Sequence, residues 1–188
     1  MHKRFVSAME ECPIIAAIKD MDGVSRCLES DSTIIFILFG DICNISHIVK
    51  TLKDAGRIVI VHIDLINGLS SKEISVDFIK NNTQADGIIS TKVALIKRAK
   101  ELGLYTILRF FIIDSMAFEN IRKQSELVKP DFIEILPGAM PKIISKLKEI
   151  SSVPIIAGGL ISDKDDVLAA LSKGAVSIST TNQAVWFM

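Results

Sequence analysis

The sequence is poor in the residues that staple, kink or mark a surface. Of 188 residues, three are cysteine, one is tryptophan, one is tyrosine and five are proline. Cys12, Cys27 and Cys43 are odd in number and show no CxxC spacing. That pattern argues against a disulfide framework and a structural zinc site, and it suits a reducing, cytoplasmic setting with buried or incidental thiols. Long hydrophobic runs are also missing. Stretches such as 34–39 are far too short to cross a bilayer, and residues 1–12 carry Lys3, Arg4, Glu10 and Glu11 without an apolar run. Neither a membrane span nor a secretory leader is expected. Net charge is absent too. Lys and Arg number 22 and Asp and Glu number 22, so overall charge gives no support for broad contact with nucleic acid.

What is present is aliphatic and periodic. Hydrophobic residues make up 49% of the chain, enough for a sizeable core. Eight short runs rich in Ile and Val fall at 14–19, 33–39, 57–64, 85–91, 105–112, 132–136, 154–159 and 176–181. Runs of this length read as parallel strands buried on both faces. Amphipathic segments separate them, at 45–55, 71–81, 91–102, 117–128, 142–150 and 163–172. Polar residues precede these segments, and Gly56, Gly103 and Gly174 follow three of them, the usual helix punctuation. A weaker helical segment lies within 20–32, and residues 2–11 read as a helix before the first strand. Eight strand–helix units in one domain over 1–188 predict a compact (β/α)8 TIM-like barrel with a truncated last helix. An open doubly wound sheet is the alternative. Trp186 and Phe187 would cover the gap left by the last helix or meet a second subunit, so homo-oligomerisation stays open.

Ligands of such barrels bind at the C-terminal strand ends, and the loops after strands seven and eight commonly hold phosphate. Here those ends supply Gly158-Gly159 and a Ser179-Thr180-Thr181-Asn182 cluster. Backbone N–H groups beside glycine approach a phosphate closely, and a helix N-terminus favours its charge. Ordinary turn chemistry uses the same residues. Alternation along the strands places Lys19, His62, Asp64, Arg109 and Glu134 inside the barrel, with Arg109 and Glu134 on neighbouring strands. Such a cluster is a structural ion network, a pocket for the polar end of a small ligand, or an acid–base site. One inward histidine with two carboxylates lacks metal-site spacing, so no metal and no cofactor are expected.

Charge is uneven along the chain. Between Lys92 and Lys148 there are eleven Lys and Arg against six Asp and Glu. Lys97, Arg98, Lys100, Lys142 and Lys146 are the candidates for a nucleic-acid face, although solvated helix faces look the same.

With these motifs placed, the sequence resembles the bacterial glycerol-3-phosphate-responsive antiterminators, regulators of the glycerol uptake operon. The resemblance rests on 13–20 (PIIAAIKD), 61–69 (VHIDLINGL), 71–79 (SKEISVDFI), 85–92 (ADGIISTK), 109–116 (RFFIIDSM), 129–141 (KPDFIEILPGAMP), 154–161 (PIIAGGLI) and 175–186 (AVSISTTNQAVW). It implies a non-enzymatic, barrel-like protein that binds leader mRNA of glycerol-metabolism genes, prevents premature termination and responds to glycerol 3-phosphate. It also implies that Gly158, Gly159, Ser179 and Thr180 contact the phosphate, while Lys19, His62, Asp64, Arg109 and Glu134 complete the pocket. The alternative function is an isomerase, lyase or hydrolase acting on a small phosphorylated metabolite.

Overall fold

The structure is a computed structural model that describes residues 2–188. Eight parallel strands close into a barrel in sequence order: β1 (Ile14–Ile18), β2 (Ile34–Ile37), β3 (Ile58–His62), β4 (Gly87–Ser90), β5 (Tyr105–Phe111), β6 (Phe132–Leu136), β7 (Ile155–Gly158) and β8 (Ala175–Thr180). Pairing of β1 with β8 shuts the barrel, with Ile14 beside Ile178 and Ala16 beside Thr180. Helix α1 (His2–Glu11) precedes β1. Then α2 (Met21–Leu28), α3 (Ile45–Asp54), α4 (Ile74–Asn82), α5 (Val93–Glu101), α6 (Ser115–Val128), α7 (Pro141–Ile150) and α8 (Lys164–Ser172) each follow a strand.

The strand pattern separates two cores. Ile14, Ala16, Ile18, Val59, Val61, Ile133 and Ile135 face outward onto the helices. Ile15, Ala17, Ile34, Phe36, Ile58, Ile60, Ile107 and Phe132 fill the barrel. That alternation is the two-residue period of a pleated strand. Helix α1 closes the N-terminal end. Its Phe5, fully buried, sits 4.8 Å from the rings of both Tyr105 and Phe132. The apolar filling therefore occupies the N-terminal part of the barrel, and the polar inward residues lie toward the other end.

Local chemistry explains where elements depart from the pattern read in the sequence. Strand β3 ends at His62 because the chain turns into a 3-10 helix at Ile63–Leu65. The weakly helical stretch at 20–32 forms α2, capped by the Asp20 carboxylate on the Gly23 N–H at 2.8 Å. Gly23 weakens the helical signal yet lets α2 approach β1, since a Cβ there would lie 3.2 Å from Ile18 Cβ. Helix α4 starts late: the Ser75 hydroxyl, in its first turn, donates to the Ser70 carbonyl at 2.8 Å and accepts from the Ser70 N–H at 3.1 Å. Helix α6 starts early because the Asp114 carboxylate accepts from the Ala117 N–H at 2.7 Å.

After β8 the chain makes a 3-10 turn, Gln183–Phe187, in place of an α-helix following that strand. Trp186 is buried there and donates its Nε1–H to the Thr180 carbonyl at 2.8 Å. Phe187 stays half exposed beneath the Arg26 guanidinium, 4.3 Å from its ring centre. Of the two outcomes open in the sequence, Trp186 covers the gap.

The plug is the part of this packing most easily tested. Removing the Phe5 ring should leave a cavity between Tyr105 and Phe132 and lower stability by roughly 3–5 kcal/mol. Urea unfolding of Phe5→Ala against wild type measures this, and a loss below about 1 kcal/mol would mean that α1 does not seal the barrel.

Candidate functional site

The polar end of the barrel is built around one buried carboxylate. Glu134 is fully buried and faces inward from β6. Its register partner on β5 is Arg109, whose Nε–H donates to Glu134 Oε2 at 2.6 Å. The other oxygen accepts from the Ser179 hydroxyl on β8. Both carboxylate oxygens are thus engaged, as a charge removed from water requires. Among the described residues, no other acceptor is bonded to the Arg109 guanidinium.

Above this group lies a cavity of about 320 Å³. Arg109, Glu134 and Ser179 form its floor, while 159–162 and 179–182 provide its wall, after β7 and β8. Gly159 and Leu160 both have left-handed backbones, with φ of 73° and 58°. Glycine adopts this conformation readily, whereas Leu160 holds it as a non-glycine residue. Among the described residues, neither N–H is bonded to an acceptor, and neither is that of Thr181.

The expected site residues fall into different places. Arg109, Glu134, Gly159, Ser179 and Thr180 line this cavity together. Gly158 does not line it. A Cβ on Gly158 would lie 2.6 Å from both Glu134 Oε1 and Ser179 Oγ, so this glycine makes room for their hydrogen bond. The Thr180 hydroxyl is engaged by its own loops, donating to the Ile161 carbonyl at 2.9 Å and accepting from the Asn182 N–H at 3.1 Å. Lys19 follows the inward parity of Ile15 and Ala17, but it is exposed and outside the lining. The N-terminus of α8 is occupied by the chain's own carboxylates. Asp163 accepts from the Asp166 N–H, and Asp166 accepts from Ser162.

Asp64 departs from the inward placement read from strand alternation. It belongs to the 3-10 turn after β3, where strand parity no longer applies. Its carboxylate accepts from the Ser90 hydroxyl at 3.0 Å and the Thr91 N–H at 2.8 Å, and Lys92 Nζ lies 3.4 Å away. Burial alone would raise its pKa, but the Thr91 and Ser90 hydrogen bonds and the Lys92 charge outweigh it and hold the carboxyl below its ordinary range. Asp64 therefore clamps two loops together.

His62 does point into the barrel and is buried, with no partner on Nδ1. Burial, aided by the charge of Arg109, lowers its pKa to about 4. The ring is neutral in the folded protein near pH 7, and no group of three or more metal-ligating side chains gathers among the described residues.

The basic candidates also divide. Lys97, Lys142 and Lys146 are exposed. Arg98 is engaged by Asp77 at 2.6 Å and Glu101 at 3.1 Å, tying α5 to α4. Lys100 Nζ donates to the carbonyls of Val128 and Lys129, tying α5 to the end of α6.

Fold and site define a TIM-type barrel with an anion-suited cavity at the ends of its last two strands. The chain belongs to the family described as glycerol-3-phosphate responsive antiterminator, which it matches over residues 14–186. It is similar to the uncharacterised protein YgcP of Escherichia coli K12, with 46% identity over 178 residues, covering 95% of this chain and 93% of that one. The glycerol uptake operon antiterminator regulatory protein of Listeria monocytogenes superposes with a TM-score of 0.90 at 34% identity, covering 93% of this chain and 95% of that one. A glycerol uptake operon antiterminator-related protein of Thermotoga maritima gives a TM-score of 0.83 at 36% identity, covering 93% and 98%. Aldolase barrels at 12% identity share the fold alone. No helix is long and apolar enough to cross a membrane among the described residues.

The neutral histidine generates a pH prediction. Its folded pKa lies below the ordinary 6.5, so the unfolded chain binds the extra proton between about pH 6.5 and 4. Stability from this group is present above pH 6.5 and is lost as pH falls toward 4, by up to about 3 kcal/mol at full loss. His62→Leu should flatten the acid limb of the stability curve, measured as urea midpoints from pH 7.5 to 4.5. An unchanged limb would place the acid sensitivity elsewhere.

Proposed function

We propose that this chain is a glycerol-3-phosphate-controlled regulator that acts in the cytoplasm by binding leader mRNA and preventing premature termination. The observation that carries the ligand half is the cavity above Glu134, lined by Gly159, Leu160 and Thr181, whose N–H groups are unbonded. In this reading the phosphate rests on those N–H groups, with the Arg109 guanidinium opposite. The glycerol hydroxyls donate to the remaining lone pairs of Glu134 and Ser179. Family membership supports glycerol 3-phosphate as the compound and antitermination as the output.

The same lining favours binding over catalysis. Schiff-base chemistry needs a lysine amine in the pocket. Among the described residues the lining offers none: Lys19 is exposed outside it, and Lys92 Nζ bonds to Ser71 Oγ at 2.5 Å. Glu134, the buried carboxylate, is held by Arg109 and Ser179. The ligand shifts the protein toward its RNA-binding state only by the difference in its affinity for the two states. Closure of the loop 159–162 over the phosphate supplies such a difference.

Calorimetric titration with glycerol 3-phosphate, with glycerol and inorganic phosphate as controls, tests the site. Selective binding of the phosphorylated compound is expected. Thr181→Glu, a change at an exposed rim position, should weaken it at least tenfold by placing a carboxylate beside the phosphate, roughly 1.4 kcal/mol or more. Wild-type affinity in this variant would remove the site from 159–162 and 179–182.

A further inference from the structure

A second concavity lies on the same end of the barrel, and nothing in the ligand site uses it. It is a groove of about 400 Å³ between the start of α6 and the start of α7. Ile113, Phe118, Met140 and Ile143 form its apolar walls. The rim is unusually apolar for a surface. Ile113 is 85% exposed, and Met116 is 73% exposed one helical turn away. Phe111, at the end of β5, and Leu160, in the loop after β7, are exposed as well. An apolar patch of this kind, bordered by polar groups, marks an interaction site.

The polar border identifies the partner. Asp114, Ser115 and Glu119 lie on the α6 side, the Asp114 carboxylate accepting from the Ala117 N–H, and Lys146 lies on the α7 side. Lys142 lies one turn before Lys146 on the exposed side of α7, and Lys123 is exposed on α6. A carboxylate and a hydroxyl beside an aromatic ring suit the amino edge of a nucleobase, and flanking lysines suit its phosphates. A lipid surface or a purely apolar peptide would leave Glu119 and Ser115 unpaired.

The groove is also wired to the cavity. The Ile112 N–H donates to the Leu136 carbonyl at 2.8 Å, and Leu136 lines the cavity, where a Cβ on Gly159 would lie 3.2 Å from its side chain. The Gly138 N–H donates to the carbonyls of Gly158 and Gly159 at 2.5 and 2.9 Å. The 136–140 loop thus reaches the cavity through Leu136 and the groove through Met140.

We propose that the groove between α6 and α7 takes an unstacked base of single-stranded RNA, with Lys146 and Lys142 on the adjoining phosphates. This inference rests on the RNA-binding reading above and assigns that reading a surface. It moves the contact away from α5, where Arg98 and Lys100 are engaged within the protein. Ligand in the cavity sets the 136–140 loop and with it the width of the groove.

The test begins with RNA selected by the immobilised wild-type protein from a random-sequence pool, in the presence of glycerol 3-phosphate. The selected RNA is then titrated against Ile113→Asp, Lys146→Glu and the control Lys97→Glu. Both altered positions are exposed, so the fold is retained, and circular dichroism checks it. Affinity should fall about tenfold or more in the first two and stay within twofold in the control. Photocrosslinks from 4-thiouridine RNA should map to 112–119 and 140–146. If no RNA is enriched by wild type, the regulator reading fails and this assignment falls with it. If RNA binds but both groove variants bind normally, the groove is wrong while the reading survives. If light scattering shows a wild-type dimer that both variants convert to monomer, the groove is filled by a second copy of the chain and the RNA assignment is overturned.

Discussion

The polar half of this barrel depends on keeping one negative charge out of water. Glu134 is held from both sides, by Arg109 on the adjacent strand and Ser179 two strands away. Break either contact and a buried carboxylate loses a partner, which is costly in a low-dielectric interior. The arrangement also requires that β7 end in a residue without a side chain, because Gly158 faces the same space. Four strands thus meet at one group. The cavity above it has a floor because that group is satisfied, and it has a wall because the chain turns left-handed immediately after Gly158.

This division explains how one small barrel combines rigidity with response. The apolar half is closed by α1 and packed around Phe5. The polar half ends in loops that are bonded to one another and to the strand ends. Gly138 joins the β6 loop to the β7 loop, and Ile112 joins the β5 loop to the end of β6. Three consecutive loops are therefore joined by hydrogen bonds, and both concavities of the C-terminal face lie along them.

Much of the fold was legible because parallel strands and their helices carry different hydrophobic periods. Arg109 and Glu134 were readable as an inward pair because β5 and β6 remain regular up to those residues, so alternation holds. Asp64 was misplaced by the same rule, since the chain leaves the strand after His62 and nothing local announces the turn. Gly158 looked like a phosphate contact, but the reason for its small size lies on β6 and β8, 24 and 21 positions away in the sequence. Arg98 and Lys100 were visible as charges while their acceptors on α4 and beyond α6 were not. The groove was missed although Ile112-Ile113 carried a signal: two bulky apolar residues run on past the end of β5 into a loop.

The seam between β1 and β8 gives the cavity a second meaning. Ser177 bonds to the Pro13 carbonyl across 164 positions of chain, and Thr180, at the cavity wall, is the partner of Ala16. Bringing such distant segments together is the entropically slowest contact of the fold. On the proposed function, a molecule held by Gly159, Arg109 and Thr181 would bridge the segments after β7 and β8 to β5, next to the seam. By mass action such a molecule acts as a fastener of the chain's two ends. On that proposal, losing the ligand would lower the chain's resistance to proteases, so the amount of regulator and its activity would fall together.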